Sequence, residues 1–150
     1  MTKIKERNKI ASFITKKQAR LGLTNIRKTR KLLGNGDNWI QDSFESGGAY
    51  CIHGANMEAN GPGADIGFLA LSLFMPVAIR VVDTESADQI DFDSIDGSMT
   101  DAEIICMPTL HIAIDKADVY TWNDETGRKF RQVAAVIDKA EAFLQEIIAR

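Results

Sequence analysis

Residues 129–149, KFRQVAAVIDKAEAFLQEIIA, decide the fold class of this chain. Phe130, Val133, Val136, Ile137, Ala140, Phe143, Leu144 and Ile147 recur at steps of three and four. That period puts them on one face of a helix over 129–149, with Phe143 and Ile137 buried in the core. Residues 3–21 repeat the pattern. Ile10, Phe13, Ile14 and Leu21 form an apolar stripe between basic residues, and Gly22 is the expected stop. Thr24 then caps a second helix through Leu33, which Gly34-Asn35-Gly36-Asp37 ends.

Between these segments the signals are shorter. Gly47-Gly48 turns the chain before Tyr50-Cys51-Ile52, and a short helix is predicted from Gly54 to Ala59. Asn60-Gly61-Pro62-Gly63 breaks it. Asp65 is the expected cap of an all-round apolar helix from Ile66 to Phe74, limited by Pro76. Residues 77–82 are β-branched enough to be a strand or another buried helix, and periodicity leaves both open. The acidic run from Asp83 to Glu103 reads as a solvated loop with a short strand at Ile90–Phe92. The expectation is therefore a mostly α, compact helical domain with a small β element, or α+β as the alternative. A basic amphipathic helical arm, 1–23, precedes a single globular domain, 24–150.

Charge is divided unevenly. Residues 1–31 hold eleven basic side chains against Glu6 alone, +10, and the remaining 119 residues hold 7 basic and 20 acidic groups, −13. Lys3, Lys5, Arg7, Lys9, Lys16, Lys17 and Arg20 make the arm a candidate for an acidic partner: nucleic acid, another subunit, or the chain's own body. Docking of Ile10, Phe13, Ile14 and Leu21 onto the body or another subunit is the expected arrangement. The longest apolar run, from Ile66 to Ile79, is too short for a membrane span, which needs about 20 residues. No membrane association is expected. With two cysteines and no signal-peptide pattern, the expected location is cytoplasmic, the host cytoplasm if the chain is phage-encoded.

Two segments carry a resemblance. One is Asn38-Trp39-Ile40-Gln41 followed by Tyr50-Cys51-Ile52-His53-Gly54-Ala55. The other is Trp122-Asn123-Asp124-Glu125-Thr126-Gly127-Arg128 leading into the last helix. Together, over about 24–59 and 119–149, they are similar to a family of short proteins, domain of unknown function 6197, found mainly in bacteriophages and actinobacteria. Members often start the last helix with Thr and Glu where this chain has Lys129 and Gln132, a difference that removes a capping pair. The resemblance implies a fold and a phage context, and no reaction.

Candidate ligand or partner residues are Trp39, Gln41, Cys51, His53, Trp122, Asn123, Asp124 and Arg128. For Trp122-Asn123-Asp124 the preferred reading is structural. Trp122 anchors the core, Asn123 or Asp124 caps amides of the turn before the last helix, and Arg128 pairs with Asp124. The functional reading makes them part of a ligand pocket. Cys51, His53, Cys106 and His111 use every Cys and His and are the one conceivable zinc set, but their spacing is not that of a zinc site. Inert buried thiols are preferred, and no metal or other cofactor is expected. A Cys51–His53 nucleophile pair lacks supporting signature residues. Asp91-Phe92-Asp93-Ser94-Ile95-Asp96-Gly97 departs from a calcium loop at its fifth and twelfth positions. Gly61-Pro62-Gly63 matches no phosphate-binding pattern. The preferred function is a non-enzymatic phage-type accessory protein that binds a protein partner or a second copy of itself, acting on a host or defence component. The alternatives are a nucleic-acid-associated protein using the arm, and a small-molecule binder or enzyme around Cys51, His53 and Trp122-Asn123-Asp124.

Overall fold

The computed structural model describes residues 4–83, 99–107 and 110–150, with the side chains of 82, 83 and 110 left aside. Six α-helices are described: α1 (Ile4–Phe13), α2 (Lys16–Leu33), α3 (Ile52–Asn60), α4 (Asp65–Ser72), α5 (Lys116–Asp124) and α6 (Phe130–Ile148). The β content is small, as expected. A two-residue hairpin pairs β1 (Glu45–Ser46) with β2 (Ala49–Tyr50), and an antiparallel sheet combines β3 (Ile79–Asp83), β4 (Ala102–Met107) and β5 (Leu110–Asp115) in the order β3-β5-β4. Within the ambiguous 77–82 segment the chain is a strand from Ile79 onward, pairing Arg80 with Ala113 and Val81 with Ile112, and residues 77 and 78 precede it. The short strand expected at 90–92, the calcium-like loop at 91–97 and most of the acidic run lie outside the described residues.

The core forms where α2, α4 and α6 meet. Every residue of α4 from Ile66 to Ser72 is buried, which explains why its apolar groups occur all round the helix. Helices α2 and α6 run antiparallel. Gly22 meets Leu144 near one end of the contact, and Arg30 meets Asp138 near the other. The first helix break therefore differs from the expected one. Gly22 does not stop a helix; it lies inside α2. A Cβ there would sit 2.6 Å from Ile66 Cγ2, so the glycine serves close packing. The break falls at Thr15. Its hydroxyl accepts from the Gln18 amide at 3.0 Å, and the Gln18 side chain accepts from the Thr15 amide at 2.9 Å. This reciprocal pair starts α2 eight residues before Thr24, which instead lies within the helix and donates to Arg20 O.

Of the four apolar residues on the first segment, Ile10 and Ile14 are buried in the main core and Phe13 is partly buried against it. Leu21 departs from the expectation: it is 50% exposed, because α2 turns it away from the face that holds Ala19, Leu23 and Ile26. The basic residues of α2 partly neutralise acids of α6. Arg30 reaches Asp138 at 2.6 Å and Glu141 at 3.0 Å, and Arg27 reaches Glu141 at 3.4 Å.

Two expectations for helix starts also change. Asp65 is the first residue of α4 and not its cap, and Ala64 precedes it without a side-chain hydrogen bond. At α6, Lys129 offers no acceptor, yet half of a capping pair survives because Gln132 Oε1 accepts from the Lys129 amide at 2.8 Å. Ile137 is buried as expected, but Phe143 is only half-buried. It lies at the rim of the core against Phe74, ring centroids 6.1 Å apart, and the fully buried neighbour is Leu144. Phe143→Ala is accordingly expected to cost about 1.5–2.5 kcal/mol, roughly half the loss at a fully buried phenylalanine. Urea denaturation at constant slope is the check. A loss above about 4 kcal/mol would mean that Phe143 is sealed from solvent.

Candidate functional site

The two motif segments, more than sixty residues apart in the chain, meet at the C-terminal end of α5. Asn123 is fully buried there and is the hub. Its Oδ1 accepts from Trp39 Nε1 at 2.8 Å and from the Ile52 amide at 3.1 Å; its Nδ2 donates to Ile40 O at 3.0 Å. One side chain therefore fixes the Trp39 loop and satisfies a free amide at the start of α3. Gln41 completes the junction from the other side, donating to Asn123 O at 3.0 Å and Glu125 O at 2.9 Å.

Asp124 accepts from the Asp42 amide at 2.8 Å. Asp42 adopts φ +64°, the one positive value at a non-glycine residue among those described. The hydrogen bond that its amide donates to Asp124 and the flanking Gln41 contacts hold the loop in this less favoured conformation. The expected capping role for Asn123 and Asp124 is thus corrected in its target. They bond the 39–42 loop and the start of α3, not the turn before α6. Arg128 is corrected too. It does not pair with Asp124; it donates to Trp122 O at 2.9 Å, pairs with Glu125, and lies 4.2 Å from the Trp122 ring centroid. Trp122 is buried, as its anchoring role requires.

The same scaffold walls a cleft of about 430 Å³ lined by Asp42, Ser43, Phe44, Cys51, Tyr120 and Asp124. Cys51 precedes α3 and its Sγ accepts from the Gly54 amide at 3.2 Å, so the thiol caps this helix. Gly54 is required here: a Cβ would lie 2.3 Å from Phe44 O. Burial pushes the Cys51 thiol up, and the carboxylate of Asp124 adds to this against opposing backbone hydrogen bonds. The result is a protonated, poorly nucleophilic sulfur at neutral pH. Burial likewise raises the Tyr120 phenol, with Cys51, Asp101 and Glu103 adding to it.

His53 is buried behind this wall. Its ring lies 4.4 Å from Phe68, 5.7 Å from Tyr120 and 5.8 Å from Phe44, centroid to centroid. Burial, with Lys116 adding to it and Asp101 opposing, lowers its pKa to about 4. Its Nδ1 finds no hydrogen-bond partner among the described residues. The conceivable zinc set does not assemble. Cys51 is buried beside α3, whereas Cys106 is exposed and faces His111 across β4 and β5. Among the described residues, no three of His, Cys, Asp or Glu form a group able to hold a metal ion.

The structure thus unites Trp39, Gln41, Cys51, His53, Trp122, Asn123, Asp124 and Arg128 in one region, and the basic residues of α1 and α2 are not among the cleft's lining. Asp42, Ser43, Phe44 and Tyr120 were missed as site residues. Only their positions beside the motifs, Phe44 after Gln41 and Tyr120 before Trp122, could have drawn attention to them. Asp115 was missed as well. Its carboxylate accepts from the amides of Thr100, Asp101 and Ala117, joining the end of β5 to the start of β4 and of α5.

A mostly helical domain whose motif residues form one hydrogen-bonded junction beside a cleft is what the geometry defines. A model of a family of unknown function, DUF6197, matches residues 23–143, and the chain belongs to that family. The match includes residues 60–118, which the two motif segments alone do not cover. No curated protein and no solved structure matches the chain. No helix among the described residues is long and apolar enough to cross a membrane.

Proposed function

We propose that this chain is a non-enzymatic accessory binding protein of phage type that receives a protein partner, a host or defence component, in the cleft beside the Asn123 junction. One observation carries the reading: Phe44, 48% exposed, stands on the cleft wall on a loop whose conformation the motif residues hold. A large exposed aromatic on a pre-organised wall resembles the anchors that dominate protein interfaces. Asp42 and Asp124 stand beside Phe44 and Tyr120, so the lining suits a lysine or arginine side chain, through charge and through ring faces. Chemistry is the weaker reading. The cleft thiol is raised and already engaged in capping, and the buried imidazole near it is neutral at pH 7.

The test is selection of peptides from a random display library on the immobilised full chain. Binders enriched in Lys or Arg, and weakened at least tenfold by Phe44→Ala and by Asp42→Asn, are expected. Peptides insensitive to both substitutions, or none above background, would defeat the proposal.

A further inference from the structure

A separate feature lies on α2. Successive residues of an α-helix turn by about 100°. On that wheel Lys16, Lys17, Arg20, Arg27, Lys28 and Lys31 fall within an arc of about 120°. The opposite side, with Ala19, Gly22, Ile26, Thr29 and Leu33, is buried in the core. All six cations project from the outer side, and α2 contains no Asp or Glu. Arg27 has Glu141 beside it; the other five make no ion pair among the described residues. From Lys16 to Lys31 the row extends about 22 Å at 1.5 Å per residue. The net charge of the whole chain is −3, so this row is a local concentration of charge and not a property of the composition.

We propose that this face of α2 binds the phosphate backbone of duplex nucleic acid, without sequence preference. A row of about 22 Å lies alongside roughly six base pairs of duplex at about 3.4 Å of axial rise each, and its cations reach those phosphates of either strand that face the row. The face presents no aromatic ring, so it offers nothing for stacking unpaired bases, which argues against single strands. Its one exposed apolar side chain is Leu21. Insertion into a lipid surface needs an apolar face, and that of α2 is already spent on the core. An acidic protein would find Leu21 alone, and no aromatic side chain, around which an interface could dry. The cations run along one side of the helix from its first turn to its last, and are not gathered at one end, as contacts to a phosphate backbone require.

Anisotropy of a labelled 20-base-pair duplex of random sequence, titrated with the full chain, tests this. Four or five phosphate contacts give a slope of log affinity against log salt near −0.9 per contact, or about a hundredfold or greater loss from 50 to 200 mM salt. A variant carrying Lys17→Gln, Arg20→Gln, Lys28→Gln and Lys31→Gln, confirmed as folded by circular dichroism, is expected to bind at least thirtyfold more weakly, with a shallower slope. Three results would overturn the proposal: no duplex binding at 50 mM salt with tens of micromolar protein, affinity unchanged in the folded variant, or tighter binding to single strands, polyglutamate or anionic vesicles than to the duplex.

Discussion

Asn123→Ala is expected to destabilise the fold by about 3–5 kcal/mol, although it removes only three heavy atoms. The substitution strips partners from Trp39 Nε1, the Ile52 amide and Ile40 O at once. Leaving one buried polar group unpaired costs about 1–3 kcal/mol, and part of that is recovered where the loop can open to water. Ile52 is fully buried and cannot recover it in place. Asn123→Asp separates the hub's two roles. It keeps the acceptor for Trp39 and Ile52 but loses the donor to Ile40 O and sets a second carboxylate where Nδ2 now lies 2.9 Å from Asp124 Oδ1. Its deficit should shrink as pH falls and one of the two carboxyls takes a proton. Urea midpoints read both effects. A loss below about 1 kcal/mol for Asn123→Ala would show that the 39–42 loop and α3 are held by other contacts.

The Asn123 junction also marks where sequence reading succeeds and stops. Trp39, Gln41, Cys51 and Trp122-Asn123-Asp124 were legible as a set because they are unusual residues in two compact clusters. Which atoms Asn123 bonds was not legible, since the Ile52 amide and Ile40 O lie more than seventy residues away and are backbone groups that carry no residue signature. Helix α6 was legible because nineteen residues give its period more than five turns in which to repeat. The break before α2 was misplaced for a local reason. Gly22 and Thr24 resemble a stop and a cap, but Thr15 and Gln18 make a reciprocal cap, and Gly22 is small to admit Ile66. A glycine chosen for contact looks the same in sequence as one chosen for a turn. Phe143 shows the same limit at the scale of one side chain: its position on the apolar stripe sets its direction, and only the neighbouring helices set how deeply it is covered.

The division of charge has a comparable history. The +10 of residues 1–31 pointed to an acidic partner, and the chain supplies part of one through Asp138 and Glu141. Such partly exposed pairs contribute at most about 1 kcal/mol each. The burial of Ile10, Ala11 and Ile14 is the larger force holding α1 in place, at about 25 cal/mol per Å² of apolar surface removed from water. That force is insensitive to salt, whereas any phosphate contact by the outer row of α2 is not. Salt therefore separates the two uses of one basic segment.

The acid response of His53 is expected to be of similar size to a buried-core substitution. Its folded pKa of about 4 lies below the ordinary value of 6.5, chiefly because burial penalises the imidazolium, with Lys116 adding to this and Asp101 opposing. Above pH 6.5 the imidazole is neutral in folded and unfolded chains alike and contributes no pH dependence. Between pH 6.5 and about 4 the unfolded chain takes up the proton and the folded chain does not. Stability therefore falls as pH falls, by about 1.36 kcal/mol per unit, and the loss levels off near 3 kcal/mol once the folded state also binds the proton. Other carboxyl and histidine groups titrate in the same range, so the readout is a difference. His53→Leu keeps an apolar side chain among Phe44, Phe68 and Tyr120 and removes the titrating group. Urea stability of wild type minus that of His53→Leu, measured from pH 7.5 to 4, should drop by about 3 kcal/mol across the window, whatever the offset at pH 7.5. A flat difference would mean that His53 Nδ1 meets water or an acceptor in the folded chain, and that the imidazole behind the cleft is free to ionise.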